Sequence, residues 1–82
     1  MDIFEQVLAI LKDGIKLTFT QKNVADGDDF LKFFGWRPEI TVTFKKINGL
    51  WWLYFENDEP MMLGDAPKSF YESIIKVAGE QM

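Results

Sequence analysis

Two groups of carboxylates are the residues most able to carry chemistry. They are Asp26, Asp28 and Asp29 in DGDDFLKFFGW, and Glu56, Asp58 and Glu59 in ENDEP. A hard cation needs several oxygens converging from one loop. The calcium-loop pattern supplies them as acids at alternate positions, a central glycine and a closing glutamate. The first group has no glutamate at the required place, and the second contains a proline and no glycine. Both read as solvated turns and helix caps. Paired carboxylates also perform glycosidase acid/base work, but that needs a cleft and supporting polar side chains. A chain of 82 residues without histidine offers neither. Ser69 and Ser73 have no base available, and the periodicity of their neighbours turns both toward solvent.

The absence of cysteine as well as histidine excludes disulfides, thiolate or imidazole zinc sites, thiol nucleophiles and histidine general bases. No GxGxxG, P-loop or G-x-S-x-G motif occurs. The sequence therefore predicts a protein that is not an enzyme, with no catalytic residues, no cofactor and no metal. Thirteen Asp and Glu against nine Lys and Arg give a net charge of −4. The only adjacent basic pair is Lys45–Lys46, whereas nucleic-acid affinity rests on clustered cations that neutralise phosphates. Direct nucleic-acid binding is not expected. The longest apolar runs, LAIL and LWWLYF, fall far short of the roughly 20 residues that cross a bilayer. MDIFEQ lacks the basic start of a signal peptide, so the expectation is a cytoplasmic protein with no membrane partner.

The elements that would position these residues follow from periodicity. Asp2 and Glu5 have capping-box spacing, and IFEQVLAILK sets Phe4, Val7, Leu8 and Leu11 on one stripe. A helix over 3–12 is expected, stopped by Gly14. In IKLTFTQ, Ile15, Leu17 and Phe19 alternate with polar residues, the pattern of a strand with one buried face. Residues 21–36 allow either one helical turn, capped by Asp28 or Asp29 and ended by Gly35, or a loop whose phenylalanines plug the core. Strands are expected at 39–47 and 50–57, joined by Asn48-Gly49 in a two-residue type I′ turn. Met61–Leu63 then forms a short edge strand. Asp65 caps a final helix with stripe Phe70, Ile74, Val77 and Ala78, ended by Gly79. The whole is one α+β domain over residues 1–82. A short antiparallel sheet of three to four strands carries N- and C-terminal helices packed on one face.

Within that frame, adjacent Trp51 and Trp52 cannot share a face of one strand. The turn places Phe44 opposite Leu53 and Trp51 opposite Lys46 on the core side. Thr43 then faces Tyr54, and Lys45 faces Trp52, on the other. An aromatic and polar face of this kind is the composition enriched at protein interfaces. Lys45, with its ammonium over the indole, and cross-strand packing would also stabilise such a face without a partner. Residues 21–36, or Met61 and Met62, offer a cover for it. The interaction reading assigns binding of another protein to Lys45, Trp52 and Tyr54. Trp36 and Arg37 in the stretch FFGWRP form a second anchor, and the acidic turn Asp58–Glu59 steers encounter. The expected function is that of an inhibitor or modulator of a partner protein, of the type carried by phages and mobile elements. The alternatives are a homodimer or larger homo-oligomer using the same face, and a small apolar-ligand binder with its mouth at 30–36 and Met61–Met62.

Overall fold

In the computed structural model, Asn48 and Gly49 adopt φ of 53° and 81°, the left-handed pair that a type I′ turn requires. The turn fixes the register of the strands it joins. Phe44 pairs with Leu53, Lys45 with Trp52, Lys46 with Trp51 and Thr43 with Tyr54, as the sequence predicts. The structure describes residues 2–35, 39–56 and 58–81, with 33 and 34 described by their backbone alone. In chain order the elements are α1 (Ile3–Ile10), β1 (Ile15–Thr20), α2 (Gly27–Phe34), β2 (Glu39–Ile47), β3 (Leu50–Tyr54) and β4 (Met61–Met62). A 3-10 turn (Leu63–Asp65) and α3 (Lys68–Gln81) complete the fold.

The four strands form one antiparallel sheet in the order β1-β2-β3-β4. Leu17 and Phe19 of β1, Ile40, Val42 and Phe44 of β2, and Leu53 of β3 supply its buried face. Val7 of α1, Phe30 of α2 and Phe70, Ile74 and Val77 of α3 close over it. Ring contacts tie the elements together: Phe19 on the sheet lies 5.2 Å from Phe70 on α3, and Phe4 of α1 meets Tyr71 of α3 edge-on at 5.3 Å. The fold is therefore an α+β layer pair with N- and C-terminal helices, and a third helix joins them on the same side.

Several boundaries differ from the sequence expectation, each for a local reason. Helix α1 stops at Ile10, and Leu11 turns extended so that its side chain enters the core. Residues 21–34 contain a full helix of two turns rather than a loop. Its cap is Asp26, whose carboxylate accepts from the N–H groups of Asp28 and Asp29 at 3.0 and 3.1 Å. Asp28 and Asp29 instead occupy the first turn, where negative charge complements the helix dipole. Strand β3 ends at Tyr54, because the chain must reverse within a few residues for Met61 and Met62 to pair with Leu53 and Trp52. At α3, the Pro67 carbonyl, not the Asp65 side chain, receives the first turn's Phe70 and Tyr71 N–H groups. The helix also runs through Gly79 to Gln81, whose side chain is anchored on β1.

Candidate functional site: the outer face of the sheet

Alternation along the strands decides what lies away from the helices. On β1 and β2 the outer side chains are Lys16, Thr18, Thr20, Thr41, Thr43, Lys45 and Ile47. On β3 and β4 they are Leu50, Trp52, Tyr54 and Met62. The face is divided lengthwise. Its β1–β2 half is a threonine field, with Thr18 and Thr41 hydroxyls 3.1 Å apart across the strands. Its β3–β4 half, extended by Ile47 beside the turn, is apolar and aromatic.

The two tryptophans separate as the register demands. Trp51 packs against the core together with Phe55 and Met61. Trp52 is half-buried on the opposite side, flanked by its cross-strand neighbours Lys45 and Met62. Lys45 does not cover the indole: its Nζ stands 5.1 Å from the centroid of the Tyr54 ring, diagonally along the strands. A cation at that distance is attracted to the ring face. Met62 shares the Trp52 face while Met61 turns inward, so β4 borders the indole. Residues 21–34 lie on the other side of the sheet. Val24 and Phe30 are in the core, and the Ala25 N–H donates to the Ser73 Oγ at 3.0 Å on α3.

Ile47 and Leu50 belong to this face although sequence reasoning passed over them. They pair directly across the Asn48-Gly49 turn, and their side chains are 41% and 49% exposed. The signal was available: both share the parity of Lys45 and Trp52. Asp58 and Glu59 are exposed in the connection between β3 and β4, at the end of the sheet away from the Asn48-Gly49 turn. Trp36 and Arg37 fall outside the described residues, as do the side chains of Phe33 and Phe34.

Beside Tyr54, an open depression of about 340 Å³ is lined by Lys16, Thr41, Thr43, Tyr54, Phe55 and Glu56. Its walls mix an ammonium, a carboxylate, hydroxyls and rings. On the helix side, a cavity of about 10 Å³ lies among Asp26, Asp29, Phe30, Pro67, Ser69, Phe70 and Ser73. It has room for no more than one water. Ser73, which the sequence places toward solvent, is buried at 4% exposure. Its hydroxyl accepts from the Ala25 N–H and donates to the Ser69 carbonyl at 2.9 Å, so it serves as a clamp between α3 and the segment before α2. Burial, and secondarily the charge of Asp65, raises the Tyr71 pKa above its usual value. Its hydroxyl donates to the Leu63 carbonyl at 2.8 Å. Among the described residues, no group of three or more acidic side chains is gathered for a metal ion. No described helix is long and apolar enough to cross a membrane. Comparison with protein-family models, curated proteins and solved structures finds no match to this chain.

Proposed function

We propose that the protein acts by binding another protein, as an inhibitor or modulator, through the outer face of its sheet. One observation carries this reading. Ile47, Leu50, Trp52, Tyr54 and Met62 form a strip on the face opposite the helices, and Ile47 and Leu50 are large apolar side chains that keep 41% and 49% of their surface exposed. Burying such a strip is favoured by about 25 cal/mol per Å² of apolar surface removed from water. Trp and Tyr are also the side chains on which binding energy concentrates. Lys45, Lys16 and Glu56 supply a polar margin, and Asp58–Glu59 set the sign of the approaching field, favouring a basic partner surface.

The test is affinity capture from host extract with three variants beside the unaltered chain. Proteins retained by the wild type are expected to be lost with Trp52→Ala and Leu50→Ala. They should be kept with Leu8→Ala, an exposed apolar residue on α1. Capture indifferent to Trp52→Ala would remove the proposal. A second reading, homo-oligomerisation through the same strip, draws on its being a sheet face, a surface that packs against another sheet about 10 Å away. It predicts a solution mass that Trp52→Ala returns to the monomer. The apolar-ligand reading has less support, because neither depression described above includes Met61 or Met62 in its lining.

A further inference from the structure

The strand register sets two rows of side chains across the outer face. Lys16 of β1 pairs with Thr43 of β2, which pairs with Tyr54 of β3. One row further along, Thr18 pairs with Thr41, and Glu56 lies two residues beyond Tyr54. The middle strand thus carries threonine at both rows, between Lys16 on one side and Tyr54 and Glu56 on the other. Neighbouring strands are about 4.8 Å apart, so short side chains between long ones leave a trough over β2. It is the open depression of about 340 Å³, a volume within the range of small-ligand sites.

The lining selects its ligand by elimination. The Lys16 ammonium and the Glu56 carboxylate cancel in charge, and among the described residues neither has an ion-pair partner. The Thr41 hydroxyl is paired with Thr18, whereas the Thr43 hydroxyl has no such partner among the described residues. A net anion would meet Glu56 and a net cation would meet Lys16, each at a cost. An apolar ligand would take water from both ions and from the Thr43 hydroxyl and return no hydrogen bond. A neutral molecule rich in hydroxyls answers all three, because the ammonium only donates, the carboxylate only accepts, and a hydroxyl does either. Tyr54 and Phe55 require an apolar face as well. A sugar combines the two, with hydroxyls around its rim and C–H groups on its ring faces. We propose that the trough over β2 binds a neutral saccharide, its hydroxyls held by Lys16, Thr43 and Glu56 and a ring face set against Tyr54. The site shares Tyr54 with the strip proposed for a partner protein but does not use Ile47, Leu50 or Trp52, so the two readings can fail separately.

Titration with maltose and with cellobiose, followed by amide NMR, tests the proposal. Saturable shifts at Thr41, Thr43 and Tyr54 are expected with at least one of the two sugars, while α1 stays unmoved. Glu56→Ala removes an exposed carboxylate and should weaken binding about tenfold, the loss of one charge-assisted hydrogen bond. Thr43→Val keeps the branched shape that suits a strand and should also weaken it. Leu50→Ala, which alters the strip alone, should bind the sugar as the wild type does. Glycylglycine is the competing probe, a zwitterion able to meet both charges. Saturable binding of glycylglycine by a protein that ignores both sugars overturns the proposal, as does the absence of any saturable shift. Sugar binding undiminished in both Glu56→Ala and Thr43→Val, or lost in Leu50→Ala, would put the sugar elsewhere and overturn it too.

Discussion

Adjacent tryptophans with opposite duties allow the two faces to be separated by single substitutions. Trp51 packs against the core, so Trp51→Ala removes partly buried ring surface and is expected to cost about 2 kcal/mol or more. Trp52→Ala loses only cross-strand contacts with Lys45 and Met62, worth about 0.2–1 kcal/mol each. Chemical denaturation of both variants checks this, and equal losses would mean that Trp52 is a core residue. Tyr71 gives a residue-level prediction in pH. Its pKa is raised in the fold, mainly by burial and then by Asp65. The folded state therefore holds the phenolic proton longer than the unfolded state. That contribution to stability is fully present below about pH 10, the unfolded value, and is lost as pH rises through the folded pKa. Tyr71→Phe should flatten this alkaline part of the stability curve, read by thermal melts at stepped pH.

At the scale of elements, α2 depends on its cap. Asp26 alone satisfies two N–H groups at the start of a helix of eight residues. Asp26→Ala is expected to cost about 1 kcal/mol and to speed amide exchange through residues 28–31, measured by NMR. Asp28→Ala should do much less. The reason residues 21–36 resisted reading from sequence lies here. DGDD offers three candidate caps in four positions, and the choice among them is made by where Phe30 and Val24 meet the core. The hairpin was legible because Asn48-Gly49 and period-2 alternation each specify the same register. The end of α3 was not legible for the opposite reason. Gly79 is a local stop signal, and it is overridden by a tertiary contact between Gln81 and Thr18 that lies 63 positions away. Ser73 was misplaced likewise: a helical stripe drawn from apolar residues cannot show that a hydroxyl is needed at the Ala25 N–H. On the outer face, parity located Lys45, Trp52 and Tyr54. It held Ile47 and Leu50 as well, hidden by their closeness to the turn.

For the whole molecule, the Cα radius of gyration is 11.7 Å, matching the roughly 12 Å expected of a folded chain this long. One layer of helices covers one face of the sheet, so the molecule has a covered side and a bare side. The partner-protein proposal requires the bare side to stay open in the absence of its target. Light scattering across a wide concentration range is therefore expected to give the monomer mass of 9.6 kDa throughout. A concentration-dependent dimer removed by Trp52→Ala would transfer the outer strip to self-association instead.

Strand alternation has one more consequence. Positions 42, 44 and 53 hold the fold together, while 43, 45, 52 and 54, threaded between them on the same two strands, point away from the core. Stability is thus written in one set of alternate letters, and the proposed recognition in the other. Replacements at the outward letters are expected to be absorbed with little loss of folding, which leaves the surface of this face free to change while the fold stands. A saturation survey of residues 39–54 would register this as tolerance that rises and falls with every second residue.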